Sequence, residues 1–262
     1  MKYFIDTEFI EGDVPCRIKG FSIPKWLIKP NNTIQPISVG ICSSDGREYY
    51  AISKDFNLKE AWNRWQPKKK VFDSNNIKEY MRLEKEYWIR DNVLFPIYKE
   101  YVHGDMQNVC PFSYSAMKGV LRGFGKTNKQ IAEEIKAFVY SESTVIGDNI
   151  DVNILGTPTI AVADLNTEFY GYYADYDWVV FCWLFGTMMN LPDGFPMYCR
   201  DIKQMLDEKY MCQENKYPDM SRIKSWLQDV KKHPDYPKQT DEHHALADAR
   251  WNKQLYEFLN NI

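Results

Sequence analysis

Three β-prone segments lie within the first fifty-two residues, and this feature most restricts the folds open to the chain. An apolar run at residues 3–5 is followed by two longer segments at residues 34–42 and Glu48–Ile52. Asp45-Gly46, between the last two, is a typical hairpin turn signal. The pattern predicts three antiparallel strands at the start of the fold.

Helical patterns dominate the rest of the chain. The Glu-, Lys- and Leu-rich stretch 77–94 predicts a helix that Pro96 ends or kinks. Thr127 and Gln130 form a capping box ahead of an apolar helix face at Ile131, Ile135, Phe138 and Val139. Further predicted elements are a strand at 168–173 and helices at 178–189, 200–210 and 240–260. Strands first, then helices mixed with strands, predict an α/β fold.

Composition is ordinary for a soluble globular protein, with 262 residues, 44% hydrophobic residues and a net charge of −3. This charge gives no global attraction to a polyanion, so nucleic acid binding would need local basic patches or bound metal. The scattered cysteines, none in a zinc-ligand spacing, predict buried free thiols in a reducing compartment. No signal peptide or membrane-spanning run is visible, and we therefore expect a cytoplasmic protein. The cysteines are Cys16, Cys42, Cys110, Cys182, Cys199 and Cys212.

Two carboxylates, Asp6 and Glu8, stand at the end of the first predicted strand. Residues two apart in a strand point to the same face, so both side chains converge on one spot. Adjacent carboxylates repel each other unless a cation lies between them, as in magnesium and manganese sites. A D-x-E pattern is common, however, and both acids could simply be solvated.

His243 and Asp248 form an H-x-x-x-x-D pattern at the start of the last predicted helix. Five residues do not bring two side chains onto one helical face, so His243 has to lie before the helix with its ring turned back. The neighbouring His244 pairs with Asp248 at i, i+4 on a regular helix. Spacing alone does not separate the two histidines.

Two further acids, Asp175 and Asp177, lie between a predicted strand and an apolar helix. An acid at such a junction is often only a helix N-cap, and this is the interpretation we favour for Asp175. A functional role for Asp177 depends on the other two motifs.

Taken together, the three motifs follow the order seen in one nuclease superfamily. The chain resembles the DEDDh 3′–5′ exonucleases of RNase H-like fold, which include RNase T, oligoribonuclease and polymerase proofreading subunits. It is most similar to the mycobacterial-type polyadenylate-specific exoribonucleases (RNase AS). The segments that carry the resemblance are YFIDTEFIE (residues 3–11), ISVGICSSDGREYYAIS (37–53), RDNVL (90–94), YDW (176–178) and HHALADAR (243–250).

The resemblance implies a mixed sheet with helices on both faces and one exonuclease domain over residues 1–262, with insertions near 12–32 and 141–166. It implies two Mg²⁺ or Mn²⁺ ions held by Asp6, Glu8, Asp177 and Asp248. His243 would be the general base that takes a proton from the attacking water. Nucleoside 5′-monophosphates would leave one at a time from the 3′ end of a single strand, with RNA as the implied substrate. The same resemblance implies a homodimer.

Residues 111–130 carry four positive charges and no negative one, with aromatic residues between them. They predict contacts with the phosphates of a single strand, although a solvated loop and helix start explains them equally well. The charges are Lys118, Arg122, Lys126 and Lys129. Two other functions stay open: a DNA 3′–5′ exonuclease with the same chemistry, and an inactive relative that binds nucleic acid.

Overall fold

The structure is a computed structural model, and it divides the chain into two compact units. It describes residues 1–14, 17–18, 21–22, 31–67, 85–104, 106–140, 166–214 and 220–261. The first unit comprises Met1–Phe9, Pro36–Lys54 and Lys126–Ile262, and the second comprises Ile10–Gln35 and Asp55–Gly125. All the carboxylates singled out above lie in the first unit.

Five strands open the described part of the chain, and helices interspersed with short strands follow. The strands are β1 (Lys2–Val14), β2 (Arg17–Ile18), β3 (Phe21–Ser22), β4 (Asn31–Ser43), β5 (Glu48–Ile52), β6 (Gln66–Pro67), β7 (Lys85–Glu86), β8 (Glu168–Gly171) and β9 (Arg200–Asp201). The helices are α1 (Leu58–Asn63), α2 (Phe95–Tyr101), α3 (Met106–Val109), α4 (Tyr114–Phe124), α5 (Asn128–Tyr140), α6 (Asp175–Leu184), α7 (Ile202–Glu214), α8 (Met220–Val230) and α9 (Ala245–Asn261).

A mixed five-stranded sheet has the order β5-β4-β1-β8-β9. β4 and β5 are antiparallel, whereas β8 is parallel to both β1 and β9. The Ser44 N–H donates to the Lys2 carbonyl over 2.8 Å, which sets the end of β4 beside the start of β1 as in an antiparallel pair. Gly46 supplies the turn after β4 with a φ of 92°, a conformation open to glycine. The predicted α/β class and the predicted β5 are confirmed.

Helices cover both faces of this sheet because the buried residues of β1 alternate. Tyr3 and Ile5 belong to a core cluster that includes residues of α5 and α6. Phe4 belongs to a second cluster formed with residues of α7 and α9. The predicted capping box also forms, since the Gln130 N–H donates to Thr127 Oγ1 and the Thr127 N–H donates to Gln130 Oε1.

The helix predicted over residues 77–94 is wrong in part. Lys85 and Glu86 form β7, helical structure begins at Trp88, and residues 77–84 lie outside the described ranges. Pro96 does not end the helix either. A π-helical turn, Arg90–Leu94, runs directly into α2, and Pro96 falls in the first turn of α2. A missing N–H is tolerated there because first-turn N–H groups have no partner within the helix.

Other boundaries shift by a few residues. The strand predicted at 168–173 ends at Gly171, and the helix predicted at 178–189 runs from Asp175 to Leu184. The helix predicted from Arg200 begins two residues later, after β9, and the one predicted from Thr240 begins at Ala245. Within 12–32, β1 continues to Val14, β2 pairs with β3 and β4 begins at Asn31. The remaining residues of that segment and 141–165 lie outside the described residues.

Four cysteines fall in the described side chains, and all four are free thiols. Cys42 and Cys182 are buried as predicted, whereas Cys110 and Cys199 are partly exposed. The side chains of Cys16 and Cys212 lie outside the described residues. Among the helices that the structure describes, none combines the length and the apolar character needed to span a membrane.

Gly40 allows the first turn of α9 to lie against β4. A Cβ atom there would stand 2.3 Å from the Ala245 backbone C and O atoms and 2.4 Å from the Leu246 N atom. We therefore expect Gly40→Ala to lower the free energy of unfolding by about 3 kcal/mol, because backbone rather than a flexible side chain must move. Urea unfolding followed by circular dichroism measures this loss.

The matched control is Gly119→Ala in α4, where an added Cβ meets nothing within 4 Å. Alanine is favoured over glycine inside a helix, so this variant should gain roughly 0.5–1 kcal/mol. Equal stabilities of the two variants would contradict the close approach of α9 to β4.

Candidate active site

Three carboxylates, two from β1 and one from α9, meet beside the middle of β1. Asp6 and Glu8 are two residues apart and project to the same face, and Asp248 comes from the first turn of α9. One oxygen from each of the three lies within 4.8 Å of the other two. Glu8 and Asp248 are buried, and Asp6 is partly exposed. An all-oxygen donor set of this kind fits a hard divalent cation such as Mg²⁺ or Mn²⁺.

Asp177 is the fourth carboxylate, and the residue between Asp6 and Glu8 fixes its position. The Thr7 backbone N–H donates to Asp177 Oδ1 over 2.8 Å, and Thr7 Oγ1 donates to the same oxygen over 2.6 Å. Asp177 lies in the first turn of α6 and is 7% exposed. These two bonds tie α6 to β1 beside the carboxylate pair.

Two donors hold the Asp248 carboxylate. Gln239 Nε2 donates to Oδ1 over 2.6 Å, and the His243 backbone N–H donates to Oδ2 over 2.8 Å. His243 has a φ of 67°, a left-handed conformation that non-glycine residues rarely adopt and that often marks functional sites. Four residues after Asp248, on the same helix face, Asn252 donates from Nδ2 to the Ile5 carbonyl over 2.9 Å and so anchors α9 beside Asp6.

The four carboxylates and His243 surround a single cavity of about 230 Å³. Its lining residues are Asp6, Thr7, Glu8, Phe9, Tyr172, Asp177, Gln239, His243, Asp248, Trp251 and Asn252. Among the described residues that line the cavity, none is a lysine or an arginine. The described lining therefore concentrates four carboxylates in one small cavity, and hydrogen bonds to Asp177 and Asp248 compensate this charge only in part.

Burial and mutual repulsion make these acids hard to ionise together. Burial, followed by the charges of Asp177, Glu8 and Asp248, raises the pKa of Asp6 well above its usual range. Burial and the charges of Asp248 and Asp177 raise the pKa of Glu8 to about 8. Such an arrangement is unfavourable at neutral pH unless protons or a cation neutralise it.

The other two acids are better compensated. Burial raises the pKa of Asp177 to about 6, and the hydrogen bonds from Thr7 act in the opposite direction. Burial also raises the pKa of Asp248, while the bonds from Gln239 and His243 lower it. The uncompensated charge is thus concentrated on the Asp6 and Glu8 pair.

The two neighbouring histidines occupy different surroundings. His243 lines the carboxylate cavity. The ring of His244 stacks on that of Tyr50, with centroids 4.6 Å apart, and its Nδ1 accepts the Ala247 N–H at 3.4 Å. Because α9 begins only at Ala245, His244 does not share a regular helix face with Asp248 as spacing alone allowed. It acts as a helix cap instead.

Asp175 is not the N-cap that its position suggested. Ala174 occupies the cap position, and Asp175 is the exposed first residue of α6. Asp201 Oδ2 accepts the Ala174 N–H over 2.9 Å and stabilises this turn. The N-cap prediction is wrong because the helix already begins at Asp175, with Ala174 at the cap position.

The four basic residues of segment 111–130 differ in their surroundings. Lys118 and Arg122 are exposed one turn apart on α4, in the second unit. Lys126 and Lys129 belong to the first unit, and Lys126 Nζ donates to Glu134 Oε2 over 2.5 Å. The positive charge of Lys126 is thus offset locally, whereas Lys118, Arg122 and Lys129 project into solvent.

Several residues of the site did not stand out in the sequence. Thr7 lay within the D-x-E pattern, and Asn252 lay four residues after Asp248, a spacing that shares a helix face. Gln239, Tyr172 and Trp251 carried no pattern of their own. Only the three-dimensional contacts bring them to the cavity.

Two known proteins align with the whole chain at low sequence identity. Over 261 residues the chain is 24% identical to two proteins named 3′–5′ exoribonuclease. These are MT2234.1 of Mycobacterium tuberculosis (strain CDC 1551 / Oshkosh) and Rv2179c of Mycobacterium tuberculosis (strain ATCC 25618 / H37Rv). The alignments cover 100% of this chain and 94% of each relative. No protein-family model matches the chain.

Proposed function

We propose that the chain is a two-metal-ion 3′–5′ exoribonuclease of the DEDDh kind with an RNase H-like fold. The observation that carries the proposal is the convergence of Asp6, Glu8, Asp177 and Asp248 with His243 on one cavity. The names of the two full-length relatives support exoribonuclease activity at the level of the family.

In this proposal, Asp6, Glu8 and Asp248 hold the cations, and Asp177 completes the set. Two such ions, when bound, would stabilise the attacking and leaving oxygens of an in-line phosphoryl displacement. Thr7 keeps the Asp177 carboxylate directed at the cavity, and Gln239 does the same for Asp248.

His243 is the proposed general base. Its backbone N–H is bound to Asp248, which places the residue at the cavity edge. A neutral imidazole there can accept the proton of the attacking water, as imidazoles commonly do near neutral pH. The chain residues thus orient the phosphodiester, hold the cation-binding oxygens and remove one proton.

Digestion of matched 5′-labelled RNA and DNA oligomers tests this function. With Mg²⁺ or Mn²⁺ we expect a ladder that shortens from the 3′ end and nucleoside 5′-monophosphate as the product, with RNA degraded faster. Excess EDTA should stop the reaction. Faster degradation of DNA would assign the same chemistry to a DNA exonuclease, and binding without hydrolysis of either strand would indicate an inactive relative.

Substrate phosphates should contact the exposed basic residues of segment 111–130. For single strands, each lost phosphate contact lowers the slope of log K against log salt by about 0.7. We expect Lys118→Gln with Arg122→Gln to reduce that slope, because both side chains are exposed on α4. Fluorescence anisotropy with labelled RNA between low and physiological salt measures the slope.

Lys126→Gln is the matched control, since Glu134 already pairs with Lys126. It should leave the slope nearly unchanged. An unchanged slope after all four basic residues, including Lys129, are replaced by Gln would show that this segment does not bind the backbone.

A further inference from the structure

Two tyrosines at the start of α6 extend the aromatic lining of the cavity to the protein surface. Phe9 lines the cavity, and its ring stacks on that of Tyr176 with centroids 5.9 Å apart and planes 15° from parallel. Tyr172 also lines the cavity and meets Tyr173 edge to face, with centroids 4.8 Å apart. Tyr176 is 52% exposed and Tyr173 is 64% exposed. Two of the cavity-lining rings, those of Phe9 and Tyr172, therefore continue into an exposed ring.

The backbone of this turn is held in an unusual conformation. Tyr173 has a φ of 54°, in the left-handed region that is unfavourable for a bulky residue. The next residue, Ala174, is fixed by its hydrogen bond to Asp201. Burial of the Tyr173 ring does not offset the cost of this left-handed conformation, because the ring is mostly exposed. Strain kept at a surface tyrosine beside a cavity is typical of a binding position.

The electrostatics of the cavity explain why uncharged contacts matter there. A nucleic acid strand brings phosphates toward four carboxylates, and among the described lining residues there is no lysine or arginine to attract them. Aromatic faces bind bases without added charge and without sequence preference, since every base has a π-face. A cavity of about 230 Å³ also leaves most of a strand outside, against the adjoining surface.

We propose that Tyr176 and Tyr173 stack the bases of a single strand whose 3′ end occupies the carboxylate cavity. This inference rests on the proposed exonuclease function and adds the positions that hold the nucleotides upstream of the end. Tyr176, stacked on Phe9 from one side, offers its other side to a base. Tyr173 offers an exposed ring next to Tyr172.

A double-mutant cycle between ring and base tests the proposal. The probe is a 5′-fluorescein RNA of about eight nucleotides, within the usual site size of single-strand binders, in versions that each lack one base near the 3′ end. Binding is measured by anisotropy with the full chain in the His243→Ala background, which slows hydrolysis. Tyr176→Ala should raise Kd for the intact RNA by about 5- to 160-fold, the range for loss of one stacked base.

Tyr176→Ala should have little further effect on Kd for the one RNA that lacks the stacked base. Tyr176→Trp should restore tight binding of the intact RNA. Tyr173→Ala should show the same pattern at a different base. Trp183→Ala is the control, since Trp183 is 44% exposed on the same helix but does not line the cavity.

If the tyrosine substitutions weaken binding equally with every base-lacking RNA, or leave Kd unchanged, the stacking role is wrong. Neither result would overturn the proposed exonuclease function. A Tyr176→Ala variant that binds RNA normally but changes its sedimentation mass would assign the surface to a second protein chain instead. Failure of the His243→Ala parent to bind any RNA, together with an inactive wild-type chain, would overturn the proposed function as well.

Discussion

Asp6→Asn should abolish divalent-dependent hydrolysis of RNA while making the metal-free protein more stable. The substitution keeps the shape of the side chain but removes the charge that Glu8, Asp177 and Asp248 repel. Loss of a central cation-binding oxygen removes transition-state charge stabilisation, and we expect turnover to fall by at least about 10³-fold. Asp6→Ala should be equally inactive. Single-turnover digestion of 5′-labelled RNA in Mg²⁺ measures the loss.

The stability effect separates a cation site from a merely crowded set of acids. Cation at about 100 times its Kd should stabilise the wild-type protein by about 2.7 kcal/mol, or roughly 5–10 °C in Tm, because only the folded state offers the assembled site. The Asp6→Asn variant should show little of this cation-induced increase in Tm. In EDTA, its Tm should be higher than that of the wild type. Differential scanning fluorimetry with and without Mn²⁺ measures both.

The pH dependence follows from the sign of the pKa shifts. Glu8, with its pKa raised to about 8, binds a proton more tightly in the folded than in the unfolded state. The stability that the folded state gains from this proton is therefore fully present below the ordinary glutamate pKa. It is lost as pH rises through about 8. In EDTA, the wild-type Tm should fall as pH rises from the ordinary glutamate pKa to about 8. The Tm of Asp6→Asn should fall less, because one repelling charge is absent.

Asp175→Asn is the matched control for these measurements. Asp175 is an exposed carboxylate on α6, two residues from Asp177, and it does not line the cavity. The control should keep wild-type turnover, cation response and pH dependence. Undiminished hydrolysis by Asp6→Asn, or by the wild type in excess EDTA, would rule out the proposed cation-dependent mechanism.

His243→Ala should reduce turnover by ~10²–10⁴-fold, the usual contribution of a general base. Binding of cation and RNA should stay near wild type, because the variant keeps the backbone N–H that donates to Asp248. Pre-steady-state digestion separates the chemical step from binding.

His244→Ala should behave differently, because His244 caps α9 and stacks on Tyr50 away from the cavity lining. We expect a loss of about 1 kcal/mol in stability from the missing cap and ring contact, with turnover close to wild type below the melting temperature. Near-normal turnover in His243→Ala combined with an inactive, folded His244→Ala would reverse the assignment.

Local patterns predicted much of the fold. The alternation in β1 sets Asp6 and Glu8 on one face, the Asp45-Gly46 turn precedes β5, and Thr127 with Gln130 caps α5. Each depends on residues within a few positions of one another, where backbone geometry leaves few options. Element boundaries were less predictable. Lys85 and Glu86 became a strand despite a helical composition, since pairing with β6 outweighs weak helix propensity.

The sequence by itself determined which acids and histidines were candidates and in what order they occur. Only the tertiary structure decided how they act together. It brought Thr7 to Asp177 across 170 residues, turned His243 rather than His244 toward the cavity, and gave the cap position before Asp175 to Ala174. Such contacts depend on how the sheet and helices pack, and no local periodicity encodes a hydrogen bond between residues so far apart in the chain.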